Sequence, residues 1–96
     1  MRISEHEKTA IVDAVTAVDS NALVWLFGSR TDDEKKGGDI DIAVLSKIIV
    51  GNVMKQIRVR RLICDKIGEQ KIDIVISNDG SDVFFKLAVE EGIRLN

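Results

Sequence analysis

The sequence has no proline and no tyrosine, one cysteine and one histidine, and its aromatic side chains are one tryptophan and three phenylalanines. A lone cysteine cannot form an internal disulfide, and no cluster of histidine and cysteine suggests a zinc site. The scarcity of aromatic residues counts against a surface that stacks the bases of a nucleic acid. The net charge of -2 provides no general attraction to nucleic acid or to an anionic membrane. We therefore expect neither as a partner.

Long apolar runs are also missing. No run reaches the length that crosses a bilayer, and nothing at the beginning of the sequence resembles a secretion signal. We therefore expect a soluble, cytoplasmic protein. The 96 residues are 45% hydrophobic and 31% charged, a composition from which one small core can form. We expect a single domain over residues 1–96, without internal repeats or a linker.

Apolar periodicity predicts three helices, over residues 4–18, residues 50–67 and residues 81–92. Ser4 and Glu7 have the spacing of a capping box at the start of the first helix. Gly68 fits a left-handed cap that ends the second helix, while Ser81 and Gly92 fit the N-cap and the Schellman ending of the third. The side chains expected to face the core are Ile11, Ala14, Val15 and Val18 in the first helix, Val50, Val53, Met54, Ile57 and Cys64 in the second, and Val83, Phe84, Leu87 and Ala88 in the third.

Three apolar segments, over residues 22–27, 39–45 and 71–76, predict strands. In the second strand, Ile40, Ile42 and Val44 should face the core, and the opposite face is polar only at its beginning. The short polar connection between the first two strands favours an antiparallel pair, and the helix between the second and third favours a parallel pair. The predicted fold class is α/β (α+β), a small mixed sheet of three core strands flanked by helices. The predicted order is α-β-(short α or loop over residues 31–38)-β-α-β-α.

Acidic side chains should meet at one edge of this sheet. The first strand ends there at Gly28-Ser29, the second begins there with Asp39 and Asp41, and the third begins there with Asp73. Asp39 and Asp41 share a face because side chains alternate along a strand. Carboxylates gathered without cations of their own are arranged to receive cations, and oxygen ligands suit Mg²⁺ or Mn²⁺. The Ser29 hydroxyl and the amides after Gly28 are placed to hold phosphate.

Each of these features has a simpler interpretation when it is taken alone. Asp39 and Asp41 can be the solvated face of an edge strand, and Asp73 can be a surface residue of its strand. Gly28-Ser29 can be an ordinary turn. Their joint occurrence in this topological order is what favours a site for metal and phosphate.

The remaining chemical candidates are weaker. Ser29 as a hydrolytic nucleophile would need a base, and His6, in the first helical turn, is expected to be solvated. Cys64 is expected to be a packed thiol. Arg60 and Arg61 interrupt the apolar stripe of the second helix. Together with Arg58, they either contact a triphosphate or an acidic partner or form a solvated face.

The chain resembles a known superfamily at its most distinctive residues. Phe27-Gly28-Ser29-Arg30, followed after a loop by Asp39-Ile40-Asp41, is similar to the signature of the nucleotidyltransferase superfamily that includes DNA polymerase beta. More narrowly, the chain resembles the minimal nucleotidyltransferase (MNT) family of bacteria and archaea. The resemblance covers nearly the whole chain, from the leading helix through the strand with Asp73 to the tail at residues 90–95.

This resemblance implies a nucleotidyltransferase palm that moves a nucleoside monophosphate from a nucleoside triphosphate to an acceptor hydroxyl and releases pyrophosphate. By position, Asp39 and Asp41 would bind two Mg²⁺ ions, with Mn²⁺ as the alternative metal. Asp73 would bind the catalytic ion and help to activate the acceptor hydroxyl. The residues that would hold the triphosphate are Gly28, Ser29 and Arg30.

The resemblance also implies a protein partner. Members of this group often act beside a small helical protein of the HEPN (higher eukaryote and prokaryote nucleotide-binding) class, as the antitoxin of a toxin–antitoxin pair. The implied reaction is AMP transfer from ATP to a tyrosine of that toxin. A homodimer or such a partner would complete the cleft that a lone palm leaves open. The alternative is a binding protein that neutralises its partner by contact, with its nucleotide chemistry weak or lost.

Overall fold

A computed structural model describes residues 3–28 and 39–96. The predicted loop over residues 31–38 lies outside these described ranges. Within them, none of the helices is both long enough and apolar enough to cross a membrane. The elements in chain order are α1 (Glu5–Val18), β1 (Leu23–Phe27), β2 (Ile40–Leu45), α2 (Val53–Ile67), β3 (Ile72–Ser77), α3 (Val83–Glu91) and β4 (Ile93–Arg94).

Helix α1 begins with the predicted capping box. The Glu7 amide donates to the Ser4 hydroxyl at 3.0 Å, and the Ser4 amide donates to the Glu7 carboxylate at 2.9 Å. These bonds satisfy two amides that the first turn would otherwise leave without partners. The inner face carries Ile11, Ala14 and Val15, all of them buried as expected.

The strands form one sheet with the order β3-β2-β1-β4 within the described residues. β1 and β2 are antiparallel, whereas β2 and β3 are parallel, so both predicted pairings are confirmed. The predicted fold class, a small mixed sheet flanked by helices, is confirmed as well. The count of three strands was wrong because Ile93–Arg94 forms a fourth strand, antiparallel to β1.

Gly92 explains why this fourth strand was missed. The residue has φ -90° and ψ 176°, an extended conformation, so the predicted Schellman ending is wrong and the chain passes directly into β4. Two residues are too short a segment to give a strand signal. Their pairing with β1 depends on the close approach of α3 to that strand, which the sequence pattern does not report.

The two faces of the sheet are covered unequally. Helices α1 and α2 cover one face and enclose the main core, where Ile40, Ile42 and Val44 are buried as predicted. Helix α3 covers the other face with a smaller cluster built around Ala43, Phe85 and Ala88. On this second face, the beginning of β2 lies beside a small core that does not enclose the acidic residues of the strand.

A buried polar contact joins α1 to the far end of the sheet. The Ser46 hydroxyl donates to the Asp19 carboxylate at 2.6 Å and accepts from the Ile49 amide at 3.0 Å. Asp19 is buried and caps the end of α1. Its carboxylate also accepts from the Asn21 amide at 3.0 Å. These hydrogen bonds replace those that the carboxylate would make to water if it were exposed.

The core-facing side of α2 was predicted wrongly. The helix begins at Val53 after a turn, and Val53, Met54 and Ile57 are at least half exposed. Val59 and Ile63 are buried in their place. Two residues along a helix are separated by about 200°, so Val59 and Ile57 cannot both face the core. Gly68 ends the helix with φ 88°, but its ψ of 172° is extended and does not form the predicted left-handed cap.

Helix α3 is also rotated from the prediction. Phe85 and Ala88 face the core, whereas Val83, Phe84 and Leu87 are exposed. The N-cap residue is Asp82. Ser81, the predicted N-cap, donates its hydroxyl to Asp79 at 2.7 Å.

We expect Gly92→Ala to destabilise the fold. A Cβ at this position would lie 2.7 Å from the Ala88 carbonyl oxygen and 2.8 Å from that of Leu26, both closer than real contacts allow. Overpacking of this kind typically costs about 1–3 kcal/mol, which thermal or urea unfolding would measure. Glu91→Ala, at the exposed neighbouring position, is the control and should change the free energy of unfolding little. Equal stability of the two variants would contradict the packing at Gly92.

Candidate active site

The end of β1 and the beginnings of β2 and β3 form one row at a single edge of the sheet. Phe27 pairs with Asp41 on β2, and Asp41 pairs with Asp73 on β3. Directly paired residues on neighbouring strands project to the same face. The row therefore runs from an aromatic side chain on β1 to two carboxylates, on the face that α3 only partly covers.

Gly28 follows Phe27 and turns the chain against this row. Its φ is +76°, and an added Cβ would overlap the Asp41 carboxylate. Positive φ favours glycine, and an added Cβ would force the Asp41 carboxylate to move. The backbone conformation is therefore the main reason for a glycine at this turn. Ser29 and Arg30 lie outside the described residues, so their predicted phosphate contacts stay predictions.

Asp41 carries the electrostatic signature of a crowded acidic site. Its pKa is raised above the ordinary aspartate value, mainly by partial burial, and further by the hydrogen bond to Asp73 and the charges of Asp73 and Asp39. Lys71 opposes these effects. The fold thus holds two carboxyl groups close enough to share a proton, an arrangement that like charges resist in water.

Asp39 precedes β2 and is placed differently from the other two acids. Its carboxylate lies 3.4 Å from the Lys71 ammonium group, and both side chains are substantially exposed. An exposed pair of this kind is worth about 1 kcal/mol or less. Asp39 is therefore held only weakly in this position.

The donor chemistry of the row fits a hard divalent cation. Among residues 3–28 and 39–96, no three acidic, histidine or cysteine side chains lie close enough together to hold a metal ion as they are arranged. Mg²⁺ typically needs only one or two protein carboxylates, because substrate phosphates and waters supply the remaining oxygens. Asp41 and Asp73 are such a pair, with no nitrogen or sulfur ligand to favour zinc.

The three arginines of α2 separate into two groups. The Arg60 guanidinium donates a hydrogen bond to the carbonyl oxygen of Ile72, at the start of β3 and next to Asp73. Arg58 and Arg61 are exposed. Arg60 thus connects α2 to the strand that carries Asp73. The sequence had suggested either contact with a triphosphate or acidic partner or a solvated face, and neither includes this structural contact.

The other two candidates take no part in the row. Cys64 is a free, half-buried thiol packed against the main core, as predicted. His6 is exposed, and its Nε2 lies 3.1 Å from the Lys66 carbonyl oxygen. A carbonyl only accepts, so this nitrogen carries the proton.

Sequence reasoning missed two neighbours of the acids. Lys71 stands two residues before Asp73, and the parallel register of β2 and β3 places it beside Asp39. The same alternation that identified Asp39 and Asp41 could have identified it. Phe27 shares a face of the sheet with Asp41 because the two residues are paired in the β1–β2 register. This neighbour can be predicted only when that register is known.

The fold and the row define a class of protein. A small mixed sheet flanked by helices, with paired aspartates beside a glycine turn, is the architecture of a nucleotidyltransferase domain. The family described as "Polymerase beta, Nucleotidyltransferase" matches residues 10–96, so the chain belongs to the polymerase beta nucleotidyltransferase family. A comparison with curated proteins found no match.

We expect Asp41→Asn to stabilise the protein at neutral pH. A raised folded-state pKa means that ionised Asp41 opposes folding, so the cost is largest above the folded pKa and disappears below the unfolded value of 3.8. Each kcal/mol of relief would raise Tm by about 4–8 °C in a domain of this size.

Thermal unfolding of both proteins between pH 3 and pH 8 would test this expectation. The Tm difference should shrink as the pH falls, because wild-type Asp41 then becomes neutral like its replacement. Asp13→Asn removes the same charge from the exposed surface of α1 and is the control. A variant less stable than wild type at neutral pH would contradict the crowding of the three acids.

Proposed function

We propose that this chain is a metal-dependent nucleotidyltransferase that transfers AMP from ATP to an acceptor hydroxyl and releases pyrophosphate. The observation that supports the proposal most strongly is the pair Asp41 and Asp73, held together at one edge of the sheet with Gly28 against Asp41. A like-charged pair in this position lowers stability, which is a cost expected of a site that serves chemistry. Membership of the nucleotidyltransferase family points to the same reaction class.

In this proposal, Asp41, Asp73 and Asp39 would hold Mg²⁺ or Mn²⁺. Bound ions would position the triphosphate, lower the pKa of the acceptor hydroxyl and stabilise the departing pyrophosphate. Asp73 accepts the proton of the acceptor hydroxyl. The acceptor oxygen then forms a bond to the α-phosphorus as the bond from that phosphorus to the pyrophosphate oxygen breaks. Gly28, with Ser29 and Arg30 after it, holds the phosphates.

We propose further that the chain is a minimal nucleotidyltransferase and that its acceptor is a protein. The resemblance of the Gly-Ser turn and the Asp39–Asp41 pair to that group suggests a HEPN-type toxin whose tyrosine receives AMP, with this chain as the antitoxin. Asp73 is exposed and Asp41 is half-buried, so both side chains are accessible to an acceptor side chain. A second copy of the chain is the other candidate for completing the cleft.

A contact-only antitoxin is the second candidate function, and two observations favour it. The Asp39 carboxylate is paired with the Lys71 ammonium group. Helix α2 also exposes Val53, Met54 and Ile57, and it carries five basic residues against one acidic residue. An apolar surface next to positive charge suits a partner whose surface is apolar and acidic.

Label transfer from ATP tests the enzymatic proposal. The protein would be incubated with Mg²⁺, each α-labelled nucleoside triphosphate in turn, and a lysate of the source cell. The reaction leaves the α-phosphate on the acceptor, so we expect one labelled protein. The label should be strongest with ATP, the proposed donor. The double variant Asp39→Asn/Asp41→Asn should abolish the label, and Asp13→Asn should preserve it. Equal labelling by the double variant, or no labelling by wild type, would contradict the enzymatic proposal.

Metal addition gives a readout that does not depend on activity. Millimolar Mg²⁺ or Mn²⁺ should raise the Tm of wild-type protein because a bound cation stabilises the folded state and neutralises the acidic pair. The double variant Asp39→Asn/Asp41→Asn should show a much smaller shift, and EDTA should reverse the wild-type shift. An equal shift in both proteins would indicate metal binding elsewhere and would contradict the proposed ligands.

Partner binding distinguishes the two candidate functions. If the chain acts by contact alone, Asp39→Asn/Asp41→Asn should still neutralise its partner, whereas Met54→Asp on the exposed side of α2 should lose the partner. If it acts by transfer, the double variant should fail to neutralise even though it binds. Growth rescue and co-purification of the same variants measure the two properties separately.

A further inference from the structure

The four aromatic side chains of the sequence gather on one side of the molecule. Trp25 and Phe27 lie on β1 and pack against the α3 cluster, and Phe85 belongs to that cluster. Phe85 meets Trp25 edge-on, with ring centroids 5.7 Å apart. Phe84 meets Phe27 in the same way at 6.3 Å and 79°. The aromatic residues that are scarce in the sequence are thus concentrated on the face that carries the acidic row.

Phe84 differs from its neighbour in exposure. Phe85 is 4% exposed and fills the small core, whereas Phe84 is 63% exposed. An edge-to-face contact with Phe27 orients the Phe84 ring and leaves most of it in contact with solvent. A large apolar side chain that is oriented but not buried contributes little to the core. We therefore consider a role for Phe84 in ligand binding.

The position of this pair connects it to the active-site row. Phe27 immediately precedes Gly28 and pairs with Asp41, which pairs with Asp73. Neighbouring strands are about 4.8 Å apart, so the row from Asp73 to Phe27 spans about 10 Å. The Phe27–Phe84 pair therefore lies within the length of a nucleoside from the acidic pair, where the phosphates would bind.

We propose that Phe84, oriented by Phe27, is the stacking platform for the base of the bound nucleoside triphosphate. The inference rests on the proposed nucleotidyl transfer. It adds a binding site for the base, which no motif in the sequence indicates. Stacking uses the flat face that every base has. Phe84 therefore contributes affinity for any of the four nucleotides and does not choose among them.

The experiment compares ATP with inorganic tripolyphosphate, which has the phosphates and lacks the base. Dissociation constants for both would be measured with Mg²⁺ by calorimetry on the full chain, for wild type and Phe84→Ala. Loss of base stacking should weaken ATP binding about tenfold, and binding of GTP, CTP and UTP by a similar factor. Tripolyphosphate should bind both proteins equally. Phe84→Trp should restore ATP affinity because it replaces one aromatic face with another.

Val83→Ala is the matched control, since Val83 is an equally exposed apolar residue of the same helical turn. It should leave both dissociation constants unchanged. Wild-type affinity for ATP in Phe84→Ala would overturn the inference, as would an equal loss of ATP and tripolyphosphate binding or a failure of Phe84→Trp to restore affinity. In those cases the proposed transfer stands. Wild-type protein that binds neither compound would overturn the proposed function and this inference together.

Discussion

The parallel register of β2 and β3 is the constraint on which the site depends. It sets Asp41 directly beside Asp73. The pKa of Asp41 is raised mainly by partial burial, and the hydrogen bond to Asp73 and its like charge raise it further. Two ionised carboxylates about 5 Å apart repel by roughly 3 kcal/mol at an effective dielectric constant near 20. The strands are held in this register by backbone hydrogen bonds and by the crossover helix α2, so the two backbones cannot move apart to relieve the repulsion.

The unequal covering of the sheet makes this arrangement possible. The main core lies entirely on the side of α1 and α2, where apolar burial supplies most of the stability. The opposite face has only the small α3 cluster, so polar and charged residues occupy its edge without displacing the core. Stability and the candidate chemistry therefore use opposite faces of the same three strands, with β2 contributing alternate residues to each.

The exposed apolar residues of α2 and α3 follow from the same asymmetry. Each helix has more apolar positions than one face can bury, and packing against the sheet selects one set. In α3, Phe85 enters the core and Phe84 remains exposed near the acidic row. In α2, Val59 and Ile63 are buried while Met54 remains exposed. The surplus leaves one apolar surface beside the acidic row and another on α2 among its basic residues.

The sequence by itself determined the strand alternation that places Ile40, Ile42 and Val44 opposite Asp41, the capping box at Ser4, and the chain order that brings Asp41 and Asp73 to one edge. These features depend on local periodicity and connectivity. Only the tertiary structure decided which stripe of α2 and α3 is buried, the pairing of β4 with β1, the contact of Asp39 with Lys71, and the position of Phe84. Those features depend on which surfaces meet, because helices with two apolar stripes and two-residue strands have no preferred partner until the rest of the chain supplies one.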